Sequence, residues 1–315
     1  MYQTIIYHND RYKDIMKATS NLKILFIINP VSGGKKKINW EPIIHKYFKP
    51  LSHNIEFFIL TGKEDASSIQ YWIKKFSPER VIAVGGDGTV SLVAQQLLNS
   101  SILMGILRGG SANGMAEELK IPEEPKLAMD IILNGKMQKC DLIKINNNDI
   151  CIHLSDVGLN ARLVKYFDKS SFRGMWGYAR MVLKILWQRK LLQAHIEADD
   201  LNIDTPAYII VIANASKYGT GAVINPEGLI HDGKFELVIV RKISLIEIFK
   251  MFLSNKRFDP KKVEIFQTTK AVITTTREIH FQVDGEYKGK INKVYAEILP
   301  SALNLLVENK DISAS

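Results

Sequence analysis

Four short apolar runs alternate with helical patterns between Leu22 and Asn134, and this alternation constrains the fold more than any other feature of the sequence. Strands that alternate with helices form a parallel sheet, because each helix returns the chain to the same starting edge. In chain order the runs read LKILFII, IEFFIL, RVIAV and ILMGIL, and the predicted helices between them cover residues 38–48, 65–76, 90–98 and 112–119.

The residue pattern of the sequence changes after Gly135, where β-branched runs are separated by Gly, Asn, Asp and Pro. Such runs are typical of antiparallel strands. We therefore predict a Rossmann-like α/β domain with a mainly parallel sheet at residues 22–136, and an antiparallel, β-sandwich-like domain with inserted helices at 137–300. One long helix is expected at about 175–192, and the apolar tail at 301–311 is a candidate for a final strand of the first domain.

Composition narrows the choice of partner and compartment. The formal net charge of +9 favours an anionic partner, which could be nucleotide phosphate, nucleic acid or an acidic membrane surface. Cys140 and Cys151 lack the spacing of a redox or metal-binding pair, which argues against a disulfide framework and a zinc site. No window holds the roughly 18 to 20 apolar residues of a spanning helix, and the N-terminus does not resemble a secretory signal. We therefore expect a cytoplasmic protein whose membrane contact is peripheral.

Glycine-rich turns follow three of the four predicted strands. The first strand ends in NPVSGG, the third in GGDGTVS and the fourth in GGSANG. Glycines let the backbone approach an anion, and a helix N-terminus favours negative charge. Because the carboxyl ends of parallel strands share one edge, the three loops should face one crevice. For a single loop, a strand-to-helix turn without a ligand is the alternative, and the chain has neither a P-loop pattern nor a dinucleotide fingerprint.

Two side chains of the central loop carry chemical information. Thr89 is a natural N-cap or phosphate hydrogen-bond donor. A carboxylate beside a phosphate is repulsive unless it holds Mg²⁺ or accepts a proton, so Asp87 is a candidate for one of these roles.

The order of the motifs resembles the catalytic domain of the family that includes diacylglycerol kinases, sphingosine kinases and bacterial lipid kinases. The resemblance extends from Leu22 to about Val307, and it continues after the glycine loops through DVGLNA, YGTGAVINPEGLIHDGKFELVIV and FQVDGE. It implies an ATP-dependent lipid kinase that uses Mg²⁺ and moves the γ-phosphoryl group to a lipid hydroxyl. Diacylglycerol or a related lipid is the expected substrate.

The resemblance also implies roles for individual residues. The third loop departs from the family pattern, since Gly114 stands where an Asp is usual, and this weakens a metal or catalytic role for that loop. A structural Mg²⁺ is implied at Asp232, with the backbones of Leu229 and Lys234. Nucleotide contacts are implied for Asn29, Pro30, Ser32, Gly33, Thr61, Gly85, Gly86, Asp87, Gly88, Thr89, Val90, Ser91 and Ser111.

Phosphoryl transfer to a hydroxyl also needs a positioned proton acceptor. The VDGE motif offers Asp284 and Glu286, and Asp87 is a third catalytic candidate. Taken alone, the motif is equally an ordinary Asp-Gly hairpin with solvated carboxylates. Its position in the family favours the catalytic interpretation, and the choice between its two acids stays open.

A basic, aromatic segment between Ala161 and Leu192 is a candidate for contact with lipid. It contains eight basic residues against the single acid Asp168, with Trp176, Tyr178 and Trp187 interleaved. This composition suits a helix at the surface of an anionic membrane, although a helix packed on the β domain with a solvated stripe fits as well. The expected partners are a lipid substrate and an anionic membrane. No nucleic-acid recognition motif is present, and the oligomeric state stays open, with a homodimer among the options.

Two other functions stay open at this point. The related NAD kinases share GGDGT, so the chain could phosphorylate a soluble nucleotide. The departure at Gly114 also keeps a catalytically silent nucleotide or lipid sensor in view.

Overall fold

The structure is a computed structural model that describes residues 21–33, 38–110, 113–146, 149–158, 191–218, 222–251 and 257–309. Two predictions fall outside these residues: the nucleotide contact of Ser111 and nearly all of the basic helix at 175–192. At the end of that predicted helix the structure differs, because Leu192 already begins a β-strand.

The first half of the chain forms a parallel sheet in the strand order β2-β1-β3-β4. Strands β1, β3 and β4 are largely buried on both faces, as their consecutive apolar residues predict, whereas the edge strand β2 is only partly buried. The elements are β1 (Lys23–Ile28), α1 (Trp40–Phe48), β2 (Asn54–Ile59), α2 (Asp65–Phe76), β3 (Arg80–Gly85), α3 (Asp87–Gln96), β4 (Leu103–Arg108), α4 (Gly114–Glu118) and α5 (Pro125–Asn134).

Two of these helices refine the sequence predictions. Helix α3 begins at Asp87, three residues before the predicted start, with Gly86 as its N-cap residue. Thr89 therefore lies inside the first turn, and the prediction that it caps the helix is wrong. Helix α5 was not predicted; its N-terminus is capped by Glu124, whose side chain accepts two backbone N–H groups, and Pro125 occupies its first position.

Among the described residues, the second half is built from antiparallel strands and one short helix. Its elements are β5 (Lys136–Ile145), β6 (Asp149–Cys151), β7 (Leu154–Gly158), β8 (Leu192–Ala198), β9 (Leu201–Ala207), β10 (Ile209–Ala213), β11 (Phe235–Val240), α6 (Leu245–Lys250), β12 (Val263–Thr268), β13 (Lys270–Val283) and β14 (Glu286–Val307). The predicted fold class, a parallel α/β half followed by an antiparallel β half, is confirmed.

Strand β14 joins the two halves into one continuous sheet of fourteen described strands. It pairs antiparallel with β13 and β5, and its last residues lie parallel to β4, with Asn304 opposite Leu103. The strand bends at Ser301, which has a φ of 52°. The buried carboxylate of Asp141 fastens this bend, since it accepts the N–H of Ser301 at 2.6 Å and the N–H of Gly233 at 2.6 Å. Within the described residues, no helix has the length and apolar character needed to cross a membrane.

Candidate active site

The loops after β3 and β4 touch backbone to backbone. A Cβ atom added at Gly110 would lie 2.4 Å from Cα of Gly86, and one added at Gly109 would lie 2.9 Å from Cα of Gly85. The N–H of Gly109 also donates to the carbonyl of Gly85 at 2.9 Å. No side chain fits between these four residues, which we call the glycine contact. The sequence therefore requires glycine here so that the two loops can meet.

The loop after β1 joins the same edge through one side-chain hydrogen bond. Nδ2 of Asn29 donates to Oγ1 of Thr89 at 3.1 Å, and the N–H of Asn29 donates to the carbonyl of Val84 at 2.9 Å. Gly85 makes room for this contact, since a Cβ there would lie 2.3 Å from Oγ1 of Thr89. The three glycine loops therefore converge, as the parallel topology predicts. Pro30, Ser32 and Gly33 follow Asn29 in this first loop.

The N-terminus of α3 lies at the centre of the three loops. No described side chain caps this helix end, so N–H groups of its first turn are available to an anion. The carboxylate of Asp87 faces the neighbouring loop instead, because it accepts the N–H of Gly114 at 2.9 Å and the N–H of Met115 at 3.1 Å. Asp87 therefore links the second glycine loop to α4.

Thr61 lies just after β2 in a tight turn closed by Asp65. The carboxylate of Asp65 accepts the N–H and hydroxyl of Thr61 at 2.9 and 3.0 Å and the N–H of Gly62 at 2.8 Å. Burial alone would raise the pKa of Asp65, but these hydrogen bonds lower it. Val90 and Ser91, also predicted as nucleotide contacts, are buried within α3.

A pocket of about 150 Å³ opens beside the first loop, at the carboxyl ends of β1, β2 and β3. It shares Asn29, Pro30, Ser32 and Gly109 with the glycine loops. Its other lining residues are Ile28, Ile38, Asn39, Trp40, Glu41, Ile59 and Val84. In a parallel sheet, the crevice at this edge is where ligands bind.

Asp284 is buried, with only 7% of its surface exposed. Backbone N–H groups of residues 152–154 donate to its carboxylate at 2.9 to 3.2 Å. Sγ of Cys151 lies 3.3 Å from it, and Oγ of Ser91 donates at 3.0 Å from helix α3. Burial raises the pKa of Asp284, while the hydrogen bonds and His153 oppose that rise. The turn that carries Asp284 is therefore anchored in the interior and tied to α3.

Glu286 follows two residues later in a very different environment. Its side chain is 62% exposed, and one carboxylate oxygen lies 3.3 Å from Nζ of Lys288. The other oxygen is 3.7 Å from the position that a Cβ would take at Gly88. This carboxylate of the β half therefore lies directly over the first turn of α3. Lys288 also pairs with Asp149 at 3.0 Å.

Two motifs of the β half are joined by hydrogen bonds through Gln282. Its Oε1 accepts the N–H of Gly285 at 2.7 Å, and its Nε2 donates to the buried Asp156. Oγ of Ser155 donates to the carbonyl of Gln282 at 2.7 Å. These contacts fix the turn that carries Asp284 and Glu286. Sequence reasoning missed Gln282, although a polar residue in an apolar strand run is a signal that could have found it.

Helix α4 connects the glycine loops to the β half. Asp87 holds its N-terminus, and near its C-terminus Oε2 of Glu118 accepts the hydroxyl of Ser216 at 2.7 Å and its N–H at 3.1 Å. A single short helix therefore links the second glycine loop to the loop after β10. The sequence carried no signal for this pair, since 98 residues separate the two side chains.

The loop predicted to hold Mg²⁺ presents a single carboxylate. One oxygen of Asp232 accepts the N–H of Lys234 at 3.1 Å and the other accepts Nε2 of Gln267 at 2.9 Å, so each retains a free lone pair. Among the described residues, no cluster of three or more His, Cys, Asp or Glu could hold a metal ion. Exposed hard oxygens from one carboxylate, loop carbonyls and water nevertheless fit Mg²⁺, which keeps several waters when bound.

Two family models match the chain. Residues 23–145 match the model of the diacylglycerol kinase catalytic domain, and residues 155–307 match that of the YegS C-terminal NAD kinase beta sandwich-like domain. Among curated proteins, a probable lipid kinase YegS-like from Klebsiella pneumoniae (strain 342) is 29% identical over 71% of this chain and 76% of that protein. A diacylglycerol kinase from Staphylococcus epidermidis is 27% identical over 67% of this chain and 69% of that protein.

Solved structures agree on the fold. A putative diacylglycerol kinase from Bacillus anthracis superposes with a TM-score of 0.74 at 18% identity, over 92% of this chain and 98% of the other. A second structure of a putative diacylglycerol kinase from the same organism gives 0.71 at 21% identity, over 93% and 99%. At these identities the likeness establishes the fold alone.

Proposed function

This chain belongs to the diacylglycerol kinase catalytic-domain family of lipid kinases, and we propose that it transfers the γ-phosphoryl group of ATP to a hydroxyl of diacylglycerol or a related lipid. One observation carries the proposal. The uncapped first turn of α3 and the exposed carboxylate of Glu286 face each other across Gly88. An anion-binding helix end and a proton acceptor are the two groups that phosphoryl transfer to an alcohol requires.

Nucleotide binding relies on the backbone of the converged loops. The glycine contact holds the loops so that N–H groups at the start of α3 face the crevice, with Asn29 and Thr89 fastening the first loop against them. ATP would supply the transferable γ-phosphoryl group, and the Mg²⁺ bound to it would neutralise part of the phosphate charge. Asp232, with the backbones of Leu229 and Lys234, is proposed to hold a structural Mg²⁺ that stiffens the loop before β11.

Glu286 is the better proton acceptor of the two acids in VDGE. Asp284 already accepts three backbone N–H groups and one hydroxyl, so protonating it would break hydrogen bonds in a buried site. Glu286 is exposed toward the crevice and pairs with Lys288. An exposed carboxylate can accept the proton of an incoming hydroxyl without losing buried hydrogen bonds. Asp284 would then position the turn.

The lipid hydroxyl is proposed to reach the site from the β half. The net charge of +9 favours approach to an anionic membrane from the cytoplasm. The basic segment between Ala161 and Leu192 remains the proposed contact region. Reversing the charges of Arg180 and Lys184 should weaken cosedimentation with anionic vesicles and reduce its salt dependence, and unchanged behaviour would contradict this part of the proposal.

A transfer assay tests the proposal. Radiolabelled ATP and Mg²⁺ are supplied with vesicles of diacylglycerol, phosphatidylglycerol, sphingosine or ceramide, or with NAD. We expect label in a lipid product, a loss of about 10²- to 10⁴-fold in kcat for Glu286→Gln, and weaker nucleotide binding for Asp87→Asn. Label in NAD would favour a soluble-nucleotide kinase, and nucleotide binding without any transfer would favour a sensor.

A further inference from the structure

The exposed carboxylate of Glu286 has one ion-pair partner in the described part of the chain, and that partner is Lys288. Nζ of Lys288 lies 3.3 Å from Oε2 of Glu286. The other oxygen, Oε1, is left on the side of helix α3, 3.7 Å from the position of a Cβ at Gly88. A glutamate side chain that is 62% exposed has many rotamers available when nothing holds it. The ion pair therefore selects the oxygen that faces the first turn of α3.

Lys288 is itself held from a second strand. Its Nζ lies 3.0 Å from Oδ1 of Asp149, the first residue of β6, and the two side chains are 33% and 34% exposed. Burial alone would lower the pKa of Lys288, but the carboxylates of Asp149 and Glu286 raise it. The ammonium group is therefore charged at neutral pH, and it lies between two carboxylates that come from different parts of the β half.

Lys288 lies at a β-bulge in strand β14. Tyr287 and Gly289 lie opposite successive residues of β13, at positions 282 and 281, so Lys288 between them is the extra residue. Gly289 has a φ of 102°, a left-handed value that a glycine adopts without strain. Bulges redirect side chains and are common beside active sites. The strand therefore departs from regular pairing at the lysine that contacts the proposed proton acceptor.

One short segment, residues 149–154, contacts the chain on both sides of Glu286. Asp149 at its start pairs with Lys288, which follows Glu286. Backbone N–H groups of residues 152–154 donate at 2.9 to 3.2 Å to the buried carboxylate of Asp284, which precedes it. A group that accepts a proton in a transfer step must keep its place and direction within narrow limits. The second contact fixes the backbone of the turn, and the first is suited to fixing the side chain.

We infer that Lys288 is a positioning residue for phosphoryl transfer, which holds Glu286 over the first turn of α3 and is held in turn by Asp149. This inference rests on the proposed function. As the acceptor hydroxyl oxygen bonds to the γ-phosphorus, the bond from that phosphorus to the bridging oxygen of ADP breaks, and the hydroxyl proton goes to Oε1 of Glu286. Lys288 acts through Glu286 in this step and touches neither nucleotide nor lipid.

Transfer from radiolabelled ATP and Mg²⁺ to diacylglycerol vesicles tests this role in the full chain. Lys288→Met keeps the length of the side chain and removes its charge, so kcat should fall about 10-fold as Glu286 loses its direction. ATP affinity and the KM for the lipid should stay within about twofold of wild type. Lys288→Arg restores the charge and should bring kcat back to within about threefold. Lys290→Met, a change of an exposed lysine of the same strand, is the matched control and should transfer at the wild-type rate.

A double-mutant comparison separates positioning from direct binding of a phosphate by the lysine. In a Glu286→Gln background, Lys288→Met should slow transfer by less than about a further twofold, because no carboxylate remains to be positioned. An equal loss of about 10-fold in both backgrounds would overturn the inference, since Lys288 would then act without Glu286. A wild-type kcat for Lys288→Met would overturn it as well.

Crystal structures of the wild type and of Lys288→Met give a readout that needs no turnover. Glu286 should have one conformation in the wild type and several in the variant, while the turn at Asp284 stays in place. If no lipid is phosphorylated but Glu286 loses its single conformation in the variant, the hold of Lys288 on Glu286 stands and the proposed function falls. If lipid is phosphorylated and Glu286 keeps its conformation in the variant, the positioning role falls alone. If neither transfer nor a change at Glu286 is seen, both fall.

Discussion

The two halves of the site hold their loops by opposite means. In the α/β half, the glycine contact joins two loops through backbone alone, and any Cβ would keep them apart. In the β half, the turn before β14 is held by a buried carboxylate that gathers three backbone N–H groups and one hydroxyl. A loop that binds polyphosphate must leave N–H groups free, whereas a turn that aims a carboxylate must be rigid. The backbone contact therefore suits the loop proposed to bind phosphate, and the buried carboxylate suits the turn that carries Glu286.

The largest stability effect should come from Asp284→Asn. The amide keeps one acceptor oxygen but turns an NH₂ group toward several donors, so we expect the free energy of unfolding to fall by about 3 kcal/mol. Thermal unfolding measures it, with Glu286→Gln as the control, since that exposed side chain should change stability by less than about 0.5 kcal/mol. A wild-type melting temperature for Asp284→Asn together with lost turnover would instead make Asp284 catalytic.

Gly110→Ala should open the glycine contact in the α/β half. Its new methyl group would lie 2.4 Å from Cα of Gly86, which cannot move aside as a side chain can, so the loops must separate at a cost of about 2 kcal/mol. ATP affinity measured by calorimetry should fall more than about tenfold, because the cradle opens. Gly289→Ala is the matched control, since its φ of 102° strains an alanine although a Cβ there meets no atom within 4 Å, so it should cost stability and leave ATP affinity unchanged. Equal ATP affinities for the two variants would contradict a shared glycine cradle.

Glu118→Gln should test whether helix α4 couples the two halves of the site. The amide can still accept one hydrogen bond from Ser216 but carries no charge, so we expect a loss of about 1 kcal/mol in stability. If α4 fixes the position of the loop after β10 relative to the second glycine loop, KM for the lipid should rise in this variant while ATP affinity is unchanged. Glu123→Gln, a change of an exposed side chain, is the control. Identical lipid KM values for both variants would limit the Glu118–Ser216 pair to stability.

The smallest effect is expected at Asp199, far from the glycine loops. Hydrogen bonds from Thr269 and Thr268 lower the pKa of its carboxyl. A lowered pKa stabilises the fold above the ordinary value of about 3.9 and loses that effect as the pH falls through the lowered value. Since the group is exposed, the contribution should stay below about 1 kcal/mol. Melting temperatures below about pH 4 should fall less steeply for Asp199→Asn than for the exposed-site control Asp200→Asn, and equal slopes would contradict the assignment.

Much of the α/β half could be predicted because its signals are local. Consecutive apolar runs mark buried parallel strands, and α2 has the bounds that the sequence predicts, Asp65–Phe76. The convergence of the glycine loops follows from topology, since parallel strands end at one edge. The start of α3 was misplaced because Asp87 and Gly88 resemble loop residues, although the helix end accommodates both.

The contacts that shape the turn of the β half could not be predicted in this way. Ser91 and Asp284 are 193 residues apart, and their hydrogen bond joins helix α3 of one half to the turn before β14 in the other. Asp284 and Glu286 look alike in the sequence, and only burial separates the saturated carboxylate from the exposed one. The sequence motif therefore indicated where the candidate carboxylates lie but not which of them is exposed.

A single-turnover experiment tests the central claim most directly. Wild type and Glu286→Gln are saturated with radiolabelled ATP and Mg²⁺ and mixed with diacylglycerol vesicles, and bound nucleotide and labelled lipid are both measured. The account predicts equal ATP occupancy in the two proteins and a transfer step slowed at least about 100-fold in the variant. Transfer at the wild-type rate, or a loss of ATP binding that explains the slower rate, would contradict the division of labour between a backbone cradle and an exposed carboxylate.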